Sequence, residues 1–173
     1  MVTVTDADGA SVGGMLLTRV GNEGSGINIS GLYPDLYEDV TLTVRFRRGS
    51  ENFESEFGAL LAGPELTDFI IASVNDACYV IVRIQTSDGV GDLTASFDAS
   101  AVFRPGDFNE LQVRFLRSAD GGDPPGGLIV SLNGTPVGEA PVPYLDGLVG
   151  VFFSSAASGD TVLIDRFTVE QSG

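Results

Sequence analysis

The chain has no histidine, no tryptophan and no lysine, and only one cysteine in 173 residues. Each gap removes a class of chemistry. Without histidine, Ser-His-Asp and Cys-His catalysis are excluded, and a zinc site would lack its commonest ligand. Without tryptophan, the broadest aromatic platform for stacking a sugar is missing. Cys78 alone closes no intrachain disulfide, so cysteine usage says nothing about redox compartment. Standing between Ala77 and Tyr79 at the start of an apolar run, it reads as a buried structural thiol.

Positive charge is equally scarce. Nine basic residues, all arginine, face 24 acidic ones, for a formal net charge of -15. Phosphate binding relies on Lys and Arg to displace counterions, so nucleic acid and anionic membranes are not expected partners. The acidity reads first as solvation, with an acidic face that collects cations or a basic partner as the alternative. No apolar run approaches the roughly 20 residues of a transmembrane helix, so membrane insertion is not expected. Met1 leads into a polar stretch with no signal-peptide pattern. Either the protein is intracellular, or a leader or parent chain has been removed.

What is present is period-two alternation. Val40, Leu42, Val44 and Phe46 alternate with Thr41, Thr43, Arg45 and Arg47, as a half-buried strand requires. Val80, Val82 and Ile84 repeat the pattern against Tyr79, Ile81 and Arg83, as do Leu93, Ala95 and Phe97 and then Leu111, Val113 and Phe115. Outer strands are expected around Met15 to Val20 and Ile27 to Ile29. Asn133-Gly134, between Ile129 to Leu132 and Thr135 to Val137, predicts a type I′ hairpin turn. The Gly- and Pro-rich stretch from Asp120 to Gly127 reads as a loop. The expectation is one domain over residues 1–173, an all-β, two-sheet antiparallel β-sandwich of jelly-roll type.

The run Phe108-Asn109-Glu110-Leu111, Leu132-Asn133-Gly134-Thr135, Gly147-Leu148-Val149-Gly150-Val151 and Ile164-Asp165-Arg166-Phe167 resembles the concanavalin A-like lectin/glucanase superfamily. Within it, the likeness is to laminin-G-like and family-16-like modules, including the 3-keto-disaccharide hydrolase type of domain, and it is clearest over 39–170. The resemblance implies two curved sheets with a concave face on which glycan-binding members hold sugar. It does not choose among enzymes, lectins and adhesion modules, because sites are grafted onto folds.

Three constellations carry chemistry. In Glu51-Asn52-Phe53-Glu54-Ser55-Glu56 an extended chain puts Glu54 and Glu56 on one side, as an acid and nucleophile pair would need. The family-16 pattern, however, has a middle Asp and neighbouring Trp that this sequence lacks, and a solvated strand end is the competing reading. Arg45, Arg47, Arg83 and Arg114 have outward parity, and with Tyr79 they would form a ligand-binding stripe if their strands are neighbours. The competing reading is cross-strand pairing with Asp, Glu or Thr.

The third is Asp165, which strict alternation places on the apolar side with Leu163, Phe167 and Val169. An unpaired buried carboxylate is costly. Backbone hydrogen bonds, a bulge or a cation would each relieve it, and the resemblance implies a structural Ca²⁺ as the cation. Asp6-Ala7-Asp8-Gly9 reads as an Asx turn. Asn28-Ile29-Ser30 and Asn133-Gly134-Thr135 match the glycosylation pattern, the second being better explained by its turn.

The functional expectation is a non-catalytic module that binds a glycan or a protein ligand in a secreted or cell-surface protein. The alternatives are a self-associating structural surface protein, with strand edges and the Cys78 region in contact, and a glycoside hydrolase using Glu54 and Glu56.

Overall fold

The computed structural model describes residues 3–4, 15–18, 40–49, 55–63, 65–86, 89–117, 126–143, 148–155 and 160–171. Twelve strands and no helix occur among them. They are β1 (Thr3–Val4), β2 (Met15–Thr18), β3 (Val40–Arg48), β4 (Ser55–Ala62), β5 (Phe69–Val74) and β6 (Tyr79–Thr86), followed by β7 (Gly89–Asp98), β8 (Asn109–Arg117), β9 (Gly126–Leu132), β10 (Thr135–Val142), β11 (Leu148–Ser155) and β12 (Thr161–Gln171).

Two sheets form. The seven-stranded sheet runs β1-β12-β3-β8-β9-β10, with β2 also on β12, and the five-stranded sheet runs β11-β4-β5-β6-β7. Every pair is antiparallel except β1 with β12. The expected sandwich is therefore present. Val40, Leu42, Val44 and Phe46 of β3, the inward set read from the sequence, face Phe57, Ala59 and Leu61 of β4 in its core, all buried. Phe46 and Phe57 meet across the sheets with ring centroids 4.9 Å apart, within the range of favourable tilted aromatic pairs.

The Asn-Gly turn is as expected, with φ of 53° at Asn133 and 79° at Gly134. Asn133 also accepts a hydrogen bond from the Glu110 amide at 2.9 Å and donates to the Val102 carbonyl at 2.8 Å. Asn109, 1% exposed, accepts from the Arg104 amide and donates to the Arg104 and Asp107 carbonyls. These two asparagines anchor the turn before β8, so the most recognisable part of the sequence signature is structural.

The edges of the two sheets meet where β10 passes β7. A Cβ at Gly138 would lie 2.3 Å from the Phe97 ring, so this approach requires glycine. One end of the sandwich is held by Arg48, which has inward parity. It donates to the Asn75 carbonyl and, at 3.2 Å, to the Asp76 carbonyl. Its guanidinium carbon stands 4.3 Å from the Phe103 ring. Burial lowers its pKa, while the Cys78 thiol and Asp76 oppose that shift.

Two expectations change, and two strands went unread. Cys78 is half-buried in the turn before β6 with φ of 64°, rather than fully buried at a strand start. β9 begins at Gly126, so Gly126 and Gly127 belong to a strand and not to the loop. β4 and β5 had no alternation to reveal them, because both faces of β5 are buried along its length. The expected strand at Ile27 to Ile29, the Asp6 to Gly9 turn and the Asn28 pattern lie outside the described residues.

Candidate functional site

The sequence-predicted binding residues divide between the sheets. Arg45, Arg47 and Arg114 are on β3 and β8, which are neighbours in the seven-stranded sheet. Tyr79 and Arg83 are on β6, in the five-stranded sheet. The proposed single stripe is thus two separate surfaces, because pairing partners are set by topology and not by parity.

On the five-stranded sheet, Arg83 grips Glu56. One guanidinium nitrogen donates to Glu56 Oε1 at 2.8 Å and the other to Oε2, which also accepts from Ser73 Oγ at 3.2 Å. Both oxygens of Glu56 are engaged within the protein. Glu54 and Glu51 lie outside the described residues. Beside this cluster Leu60, Ala62, Phe69, Ile71 and Phe152 form a second apolar cluster on the sheet's outer side, none more than 9% exposed. Tyr79 lies toward the rim, 39% exposed.

Asp165 is explained by a bulge. The register steps from Ile164↔Phe46 to Arg166↔Arg45, leaving Asp165 without a partner on β3. The extra residue moves the inward set from Val162 and Ile164 to Phe167 and Val169, as a bulge does. Leu163 consequently turns outward and is half-buried. The Asp165 carboxylate accepts from Arg45 at 2.6 Å, with the two side chains 26% and 42% exposed. Arg166, next in sequence, pairs with Glu110. The second carboxylate oxygen of Asp165, Oδ1, is buried with no hydrogen-bond partner among the described residues, and no group of three or more His, Cys, Asp or Glu that could hold a metal occurs among them.

The seven-stranded sheet's outer face is open and polar, and it contains a groove. The cavity, about 410 Å³, is lined by Leu116, Gly127, Leu128, Ile129, Glu139, Ala140 and Pro141. Strand register explains its shape. Leu116, Gly127 and Pro141 lie abreast on β8, β9 and β10. Gly127 has no side chain, so the row is a trough with apolar walls. The next row is Arg114, Ile129 and Glu139. Two strand spacings of about 4.8 Å put Arg114 and Glu139 about 10 Å apart at the backbone, with Ile129 between them. Both charged residues are exposed. Sequence reasoning found Arg114 from its parity, but it missed Gly127 and Glu139, because a glycine read as loop gives no sign that it is the floor of a groove.

No family model matches the chain, and no curated protein matches it. Solved structures do. A carbohydrate-binding module, CBM66, from Bacillus subtilis aligns over 92% of this chain and 92% of its own, with TM-score 0.63 and 14% identity. A legume lectin-like domain from Entamoeba histolytica aligns over 92% and 84%, with TM-score 0.59 and 15% identity. A prokaryotic beta-1,3-1,4-glucanase (lichenase) derived from a mouse hindgut metagenome aligns over 78% and 66%, with TM-score 0.54 and 15% identity. At such identities the likeness concerns the fold alone, and that fold is the concanavalin A-like sandwich expected from the sequence.

Proposed function

We propose that this chain is a non-catalytic glycan-binding module of a secreted or cell-surface protein, with its ligand on the outer face of the seven-stranded sheet. The observation that carries the proposal is the trough over Gly127, bounded by Leu116, Ile129 and Pro141 and flanked by Arg114 and Glu139. A sugar ring presents apolar C–H faces and a rim of hydroxyls. The trough walls suit the first, while Arg114 donates to and Glu139 accepts from the second. Two of the similar folds are described as a carbohydrate-binding module and a lectin-like domain, which supports the same reading. The non-catalytic part rests on the lack of histidine and on the engagement of both Glu56 oxygens by Arg83.

A glycan array read beside the Gly127→Val variant tests the proposal. A Cβ at this position meets nothing closer than 3.7 Å, so valine fills the trough without straining the strand. Binding of a defined glycan set by the natural chain, and its loss in Gly127→Val with the melting temperature unchanged, is the expected result. If the array shows no binding, or if Gly127→Val binds as well as the natural chain, the assignment is wrong.

A further inference from the structure

The end of the seven-stranded face away from the trough carries an arrangement that neutral sugar binding does not use. Arg45 and Arg166 are directly opposite each other on β3 and β12, and like charges so placed repel. Each is compensated: Arg45 by Asp165 at 2.6 Å and Arg166 by Glu110. Arg47, two residues along β3 and exposed, has no such compensation. Among the described residues no carboxylate forms an ion pair with it. Its contact is with Phe108, whose ring centroid is 5.0 Å from the Arg47 guanidinium carbon and 4.6 Å from that of Arg45. The nearest acid in sequence, Asp107, turns its carboxylate to the Phe108 amide, which donates to it at 2.8 Å.

A ring quadrupole attracts a cation but does not neutralise it. In a chain with 24 acidic residues, an exposed guanidinium left without a carboxylate beside an aromatic surface is a place for an external anion. We infer that Arg47 and Phe108 form an anion subsite, so that the ligand of this face is an acidic glycan. The inference rests on the glycan reading above. A uronate carboxylate is planar and matches the guanidinium fork with two parallel hydrogen bonds, while the Phe108 ring supports the Arg47 guanidinium. From Phe108 to Leu116 the strand advances eight residues, roughly 26 Å at about 3.3 Å per residue. The ligand is therefore an oligosaccharide extending along β8 from the anion subsite to the trough.

The net charge of -15 opposes an anion at long range and slows its approach. It does not decide the equilibrium, because at physiological salt the field of distant charges decays over about 8 Å, whereas Arg47 is in direct contact.

Calorimetric titration of the chain with uronate hexamers (galacturonate, glucuronate, mannuronate and guluronate), each beside its methyl ester, tests the inference. The ester keeps the ring and removes the charge. For at least one pair, the acid is expected to bind about tenfold more tightly than the ester, as a charge-assisted bidentate contact allows. Arg47→Gln abolishes that ratio, acid and ester then binding alike, and Gly127→Val weakens acid and ester together. Equal binding of acid and ester by the natural chain overturns the anion subsite and leaves the glycan reading standing. Binding of neither, together with an empty glycan array, overturns the glycan reading itself. A sulfated neutral hexamer is the further arm: tighter binding of it than of every uronate would overturn the assignment of the fork to a carboxylate.

Discussion

On the seven-stranded sheet the side chains directed away from the core include Thr41, Arg45, Arg47, Gln112, Arg114 and Arg166, and most are half-exposed or exposed. At the equivalent positions on the five-stranded sheet stand Leu60, Ala62, Phe69, Ile71 and Phe152, all buried. One face is therefore available to solvent and ligands, while much of the other is a second core. The difference teaches where to look for function in this sandwich. Charged residues at the surface cost little to hold and are free to exchange partners, whereas a buried apolar face is held in place by its packing.

The largest expected effect breaks the comparison if it fails. Phe152→Ala removes a buried ring from the outer side of the five-stranded sheet and is expected to lower unfolding free energy by about 3 to 4 kcal/mol. Arg114→Ala on the open face is expected to change it by less than about 0.5 kcal/mol. Urea denaturation of both variants measures the contrast, and similar losses would show that the two faces are not distinct in kind.

Next in size is the Glu56–Arg83 pair, which marks the border of the buried face. Its side chains are 22% and 32% exposed, so solvent screens part of the attraction. A double-mutant cycle on Glu56→Gln and Arg83→Met is expected to give a coupling of about 1 kcal/mol. The more exposed Arg45–Asp165 pair is expected to give about 0.5 kcal/mol. A larger coupling for the second pair would reverse the ranking of the two faces.

Calcium provides a smaller effect. Because Arg45 already pairs with the Asp165 carboxylate, millimolar calcium is expected to leave the melting temperature within about 1 °C of its value in chelator, as mass action gives no stabilisation where the native state binds no ion. A concentration-dependent rise that Asp165→Asn abolishes would reinstate a metal there.

The smallest effect is at Asp98, at the solvent-exposed end of β7. Hydrogen bonds from the Ser100 side chain and amide hold its carboxyl below the ordinary carboxylate value. The folded state therefore favours the ionised form. Its contribution is complete above the ordinary carboxylate range and is lost as pH falls through the lowered folded value. Comparing the acid limb of the stability profile of Asp98→Asn with that of the natural chain should show a slightly shallower decline. A steeper decline would contradict the assigned direction.

The same contrast between faces governs how legible the chain was. β3 and β8 could be read from the sequence because polar residues on their open face interrupt the apolar ones. Phe57 to Ala62 and Phe69 to Val74 gave no such rhythm, since their outer positions are also buried. Of the site, Arg45, Arg47 and Arg114 were found by parity. Arg83 and Tyr79 have the same parity on the other sheet, and period two cannot distinguish sheets. Gly127 was hidden because an absent side chain becomes a groove only when Leu116 and Pro141 are brought beside it.

By itself the sequence determined the all-β class, the core face of the alternating strands and the Asn133-Gly134 turn, because these follow from residue periodicity and backbone preference within a few positions. The tertiary structure alone decided which strands are adjacent, and thereby the division of the arginines between two sheets and the trough over Gly127. It also resolved Asp165, whose bulge exists only in relation to a partner strand. Adjacency depends on contacts between residues far apart in the chain, and no local pattern encodes which of several similar strands will supply them.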